Sequence, residues 1–146
     1  LASMLHGTEA EADWQLAWER LNHIWSFSIE METSLPPDVA RALDADPVAG
    51  QSLVAVAGEA VTNAVRHGDA RTIHLAVDLP SPDELRLTVN DDGPIEGTAG
   101  DPGLGTAVFE AACIDWQVTT TEKGHRLEAR LPISAAREKT EAELVP

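Results

Sequence analysis

Gly58-Glu59-Ala60-Val61-Thr62-Asn63-Ala64-Val65-Arg66-His67-Gly68 is the stretch on which the reading of this chain turns. It closes a longer segment, 47–67, that reads as one helix. Pro47 suits a first helical position, Asp46 an N-cap, and Gly68 a C-cap. Leu53, Val56, Ala57, Ala60 and Ala64 fall on or near one face, the pattern of a helix lying on a core. Glu59, Asn63 and His67 are spaced i, i+4, i+8, so they line up along the helix, which an ordinary exposed face does not require. A carboxylate and a carboxamide one turn apart offer hard oxygens to a common point, the ligand type that Mg²⁺ takes. Glu59 is also placed to orient a nucleophile beside a phosphate. Arg66 and His67, at the helix end, stand where a cation can meet phosphate. Taken alone, the same triad reads equally as a solvated polar face.

Working outward, residues 9–25 carry Trp14, Trp18, Leu21 and Trp25, spaced four, three and four, which predicts an amphipathic helix. Its tryptophan face fits packing on the domain's own core, with a dimer or interdomain contact as the alternative. From Trp25 the apolar residues alternate: Trp25, Phe27, Ile29 and Met31. That predicts a strand closed by Pro36-Pro37. A short helix is expected over 38–44. Beyond the central helix, Ile73, Leu75, Val77 and Leu79 alternate with polar neighbours, and so do Leu85, Leu87 and Val89. With Pro80-Ser81-Pro82-Asp83 between them, they predict an antiparallel hairpin. A loop runs over 91–105, a helix over 104–113, and strands over 116–121 and 125–131 about a Lys123-Gly124 turn. This order predicts an α+β sandwich: a mixed, mainly antiparallel sheet with helices on one face.

Two further motifs carry chemistry. Asp91-Asp92-Gly93 follows a strand, where a carboxylate can accept from an exocyclic amine and a glycine lets a flat ring approach; an ordinary turn reads the same way. Gly100-Asp101-Pro102-Gly103-Leu104-Gly105-Thr106 runs into a helix, so its N–H groups suit a phosphate, although a flexible loop with a helix cap has the same composition.

The order of these motifs resembles the GHKL ATPase superfamily as found in bacterial sensor histidine kinases. The 58–68 run resembles the N box, Val89-Asn90-Asp91-Asp92-Gly93 the first glycine box, and Gly103-Leu104-Gly105-Thr106 the second. Gly124-His125 stands where that family usually has Gly-Thr. The resemblance spans roughly 27–133 and implies the Bergerat-type histidine-kinase ATPase fold binding Mg-ATP. Glu59 and Asn63 would then serve the metal and the γ-phosphate, with Asn63 the direct Mg²⁺ ligand. Arg66 and His67 would face phosphates, Asp91 would accept the adenine amine, and Gly93 would admit the ring. Gly103 and Gly105, flanking Leu104 and followed by Thr106, would shape the lid hinge and the phosphate-binding helix start. There are departures: Ile95 replaces the second glycine of the first box, and 94–102 is short for a lid and holds no Lys or Arg.

The resemblance implies γ-phosphoryl transfer to a histidine in a two-component system, with a response regulator as partner. Leu5-His6-Gly7 resembles the end of a phosphoacceptor box, which makes His6 the candidate acceptor; a stray surface histidine is the plainer reading. The implied layout is a remnant of a dimerisation helix at 1–8, a linker helix at 9–25, an ATP-binding catalytic domain at 26–133 and a flexible tail at 134–146. A homodimer would form through helices upstream, and a membrane anchor, if any, would lie upstream too. The alternatives are an anti-sigma factor serine kinase on the same fold and a non-catalytic nucleotide-sensing or interaction module.

Composition sets the bounds. The chain has 146 residues, 43% of them hydrophobic, enough for one packed domain. A formal net charge of −15 repels a phosphate backbone, so nucleic acid is not an expected partner. The single cysteine, Cys113, lies in an apolar run and reads as a core residue; one unpaired thiol fits a cytoplasmic setting.

Overall fold

The computed structural model describes residues 14–94 and 106–134. Helix α1 (Trp14–Trp25) is followed by strand β1 (Glu30–Ser34), helices α2 (Pro37–Ala45) and α3 (Pro47–Arg66), and the hairpin of β2 (Thr72–Ser81) and β3 (Glu84–Asp91). Helix α4 (Thr106–Ala112) and strands β4 (Asp115–Thr120) and β5 (His125–Pro132) are the last of the described elements. The sheet order is β1-β2-β3-β5-β4. Among the described residues only β1 and β2 pair in parallel, and the other three pairings are antiparallel. The expected α/β sandwich with a mixed, mainly antiparallel sheet is the fold observed.

Strand alternation explains the layering. Ile73, Leu75 and Val77 on β2, Leu85, Leu87 and Val89 on β3, and Leu127, Ala129 and Leu131 on β5 are buried on one face. Leu53, Val56, Ala57, Ala60, Val61 and Ala64 of α3 complete this core. The other face is polar, with Asp78 paired to Arg86 and Arg130 to Glu84 and Asp115. Helix α1 packs on α3 as the tryptophan stripe predicts. Trp14 and Trp18 are buried, with Leu21 and Trp25 half-buried behind them. The domain's own core therefore takes these indoles.

The expected strand is present but does not start at Trp25. Trp25 ends α1, a turn covers 26–28, and β1 starts at Glu30. The carbonyl of Trp25 accepts from the N–H groups of Ser28 and Ile29 at 2.9 and 3.0 Å, and the Ser26 hydroxyl donates to His23 at 2.6 Å. Satisfying the last carbonyls of the helix locally outweighs the alternating pattern, and Phe27 is left 79% exposed. Smaller shifts are of boundary only. Helix α3 stops at Arg66 with His67 as its cap, β2 runs on through Pro80 to Ser81, and the described part of the second expected helix is Thr106–Ala112.

Asp46 ties two ends of the sandwich. Its Oδ1 accepts from the Ala49 N–H at 3.2 Å, capping α3, and its Oδ2 accepts from the N–H and hydroxyl of Ser134, each at 2.9 Å. Burial pushes this carboxyl up, but the bonds from Ser134, Ala49 and Val48 outweigh it and hold it below its ordinary value of 3.8. A depressed carboxyl stabilises the fold above its unfolded value and loses that contribution as pH falls through the folded one. Asp46→Ala should therefore cost about 1 kcal/mol at pH 7. In urea titrations at pH 7 and pH 3, the gap between variant and parent should narrow at the lower pH. An equal gap at both would show that the carboxylate charge contributes nothing.

Candidate functional site

The alternation that buries Leu85, Leu87 and Val89 also turns Asp91, the last residue of β3, toward the core face. On the neighbouring strand His125 opens β5 and stands directly opposite Asp91 in the register. Directly paired side chains of an antiparallel sheet lie side by side, and Nδ1 of His125 is 3.2 Å from Oδ1 of Asp91. Both side chains are nearly enclosed, Asp91 at 9% exposure and His125 at 5%. The same Oδ1 accepts from the Gly93 N–H at 2.9 Å.

Two glycines allow this packing. A Cβ at Gly93 would collide with the carbonyl oxygen of Gly68, just past α3, and one at Gly124 would collide with the backbone of Asp91 itself. Gly93 therefore brings the end of β3 against the end of α3, and Gly124 lets the β4–β5 turn close over Asp91. That turn is braced by Thr121, whose Oγ1 accepts from the N–H groups of Lys123 and Gly124 at 3.3 and 3.1 Å. The neighbouring Asp92 faces outward. Its Oδ1 takes the N–H groups of Arg71 and Thr72, both at 2.8 Å, pinning the segment that leads from α3 into β2. Burial raises the Asp92 carboxyl, and these backbone bonds outweigh it and lower it below its ordinary value.

On α3, Glu59 and Asn63 are half-buried on the flank of the core stripe, one turn apart on the same side, as their spacing predicts. Arg66 is exposed, and His67 donates its N–H to the Asn63 carbonyl at 2.9 Å as it ends the helix. The described residues contain no cluster of three or more His, Cys, Asp or Glu able to enclose a metal. The donor set of Glu59 and Asn63 instead fits a hard cation that keeps most of its ligands from elsewhere, as Mg²⁺ does. His6, Gly103, Leu104 and Gly105 lie outside the described residues. Thr106 opens α4.

The structure thus brings Asp91 and Gly93 together with the C-terminal end of α3. It adds His125, noted in the sequence only as a departure from the usual Gly-Thr, and Gly124, noted there also as part of a turn. A cavity of about 600 Å³ also touches Asp91, but it opens on the opposite side of the sheet. Thr72, His74, Asn90 and Arg126 line it from outward-facing positions, and Asp92 and Glu122 offset the charges of Arg126 and Lys123. It is not the space that the Asp91 side chain faces. Cys113 is half-buried, and burial followed by the nearby Asp115 pushes its thiol up to about 11, which disfavours the thiolate at neutral pH. No described helix is long and apolar enough to cross a membrane.

No protein-family model and no curated relative matches the chain. Solved structures do. The blue-light activated histidine kinase of Erythrobacter litoralis EL346 is 20% identical and superposes with a TM-score of 0.61, covering 87% of this chain and 42% of that one. The ATP binding domain of PrrB from Mycobacterium tuberculosis is 18% identical with a TM-score of 0.54, covering 78% of this chain and 89% of that one. The Acinetobacter baumannii histidine kinase AdeS is 15% identical with a TM-score of 0.54, covering 90% and 78%. The chain spans less than half the length of the first of these. The fold is that of histidine-kinase ATP-binding domains, in agreement with the motif order.

Proposed function

We propose that this chain binds ATP with Mg²⁺ and serves as the catalytic domain of a bacterial sensor histidine kinase, presenting the γ-phosphoryl group to a histidine. The observation that carries the reading is the enclosed Asp91 carboxylate, held between two obligatory glycines beside the end of α3. A fixed carboxylate in a nearly closed corner accepts a hydrogen bond from an adenine amine, and Gly93 keeps it in that corner by letting the backbone close on Gly68. Glu59 and Asn63 would hold Mg²⁺, which when bound offsets phosphate charge. Arg66, at the exposed end of the helix, would meet the phosphates, and the chain's net charge of −15 makes such local offsets necessary. The transfer itself is mainly positioning and charge neutralisation, so a site built from one helix flank and one sheet end suffices. The response regulator and the dimer belong to the same proposal, as does the cytoplasmic setting that an ATP-consuming domain implies.

Calorimetric titration with ATP and ADP, each with and without Mg²⁺, tests the reading. Mg²⁺-dependent binding supports it, and an acid-labile phosphoryl product would extend it to histidine transfer. No binding at millimolar nucleotide would refute it and leave an interaction module that kept only the fold. Within that titration, Asn63→Ala should lower Mg·ATP affinity about tenfold while leaving binding in EDTA unchanged. An equal loss in both would remove Asn63 from the metal.

A further inference from the structure

We propose that His125 is the positioning residue of the base pocket: it holds Asp91 through Oδ1 and so leaves Oδ2 as the oxygen that recognises the ligand. The inference rests on the nucleotide reading above and adds to it a residue and a tautomer. A carboxylate only accepts hydrogen bonds, so the 3.2 Å contact with Asp91 is made when Nδ1 of His125 carries the proton and donates. The Gly93 N–H donates to the same oxygen at 2.9 Å. Two donors converging on Oδ1 fix the plane of the carboxylate, while Oδ2 makes no hydrogen bond within the described residues. A ligand donor such as an exocyclic amine matches that oxygen, and a carbonyl does not.

The imidazole is itself held in place. It is 5% exposed, it starts a strand in register with Asp91, and it follows a turn braced by Thr121. A surface histidine would lose rotamer entropy in making this bond, whereas an enclosed one has little left to lose. The preorganised pair therefore acts before the ligand arrives, which lowers the cost of binding.

The arrangement makes an unusual demand on substitutions. The amide nitrogen of asparagine reaches about where Nδ1 stands, and that of glutamine about where Nε2 stands. His125→Asn should keep the bond to Oδ1, and His125→Gln and His125→Ala should lose it. Hydrogen bonds to a charged partner imply a loss of about tenfold or more. The loss should be equal for ATP and ADP, because the pair faces the base and not the phosphates.

The experiment joins nitrogen NMR of the His125 ring at neutral pH with calorimetry of ATP and ADP on the parent and the three variants, each first shown to be folded by its thermal transition. Expected are an Nδ1–H ring in the parent, affinity within about threefold of parent for His125→Asn, and the tenfold loss for His125→Gln. If the parent binds ATP but its ring is protonated on Nε2 alone, or His125→Gln binds as well as parent, the role of His125 is overturned while the nucleotide site stands. If the parent binds neither nucleotide, the nucleotide reading falls and takes this role with it. Should His125→Ala fail to fold, the contrast between Asn and Gln decides.

Discussion

Asp91→Asn should weaken ATP binding by about 100-fold, the equivalent of a lost hydrogen bond plus a buried donor left facing another donor. The geometry leaves the amide no good orientation. With its oxygen toward Gly93 and His125, the Nδ2 group replaces Oδ2 and confronts the adenine amine. With the amide flipped, Nδ2 meets the Gly93 N–H, which donates to Oδ1 in the parent. His125 can change tautomer, but the Gly93 backbone cannot. Because asparagine is nearly isosteric, the thermal transition should move far less than the affinity. Calorimetry against ATP and ADP checks this, and an affinity within threefold of parent would remove Asp91 from the site.

The largest effect on stability should come from Trp14→Ala, at about 3–5 kcal/mol. Trp14 is 2% exposed, its ring lies on Gly50 of α3, and its Nε1 donates to Asp44 at 3.1 Å. A Cβ at Gly50 would sit 2.5 Å from the indole Cγ, so this helix glycine exists to admit the ring. Gly50→Ala alone should then destabilise by displacing Trp14. In the Trp14→Ala background the ring is gone and only the Cβ of residue 14, 2.7 Å from the added Cβ, still crowds it, so the same change should destabilise clearly less than it does in the parent. Urea unfolding of the two single variants and the double variant measures this difference. Simple additivity would mean that the ring and the glycine do not share the site.

Much of this was legible in the chain itself. The 3.6-residue stripe of 47–67 placed a long helix on the core, with Asp46 and Gly68 at its ends, because caps and apolar spacing are local properties. The period-two runs over 73–79 and 85–89 gave a hairpin with one buried face. Glu59 and Asn63 shared a helix side because a separation of four residues places them there in any α-helix. The alternation over 25–31 misled, since hydrogen bonds to the last carbonyls of α1 decided where the helix gave way to the turn. Four apolar residues cannot reveal that competition.

The heart of the site was decided elsewhere. Asp91 and His125 are 34 residues apart, and nothing in the spacing says that β3 and β5 pair so that these two meet. A slip of one residue would turn His125 to the polar face and leave Asp91 with the Gly93 N–H but without the imidazole. Gly124 shows the same division: in the sequence it marks a turn, and in the fold it is the one residue without a side chain to drive into the backbone of Asp91. Local pattern therefore determined the elements and nominated the carboxylate, whereas strand register and backbone close approach, which are contacts between distant segments, determined what holds it and which of its oxygens is left for a ligand.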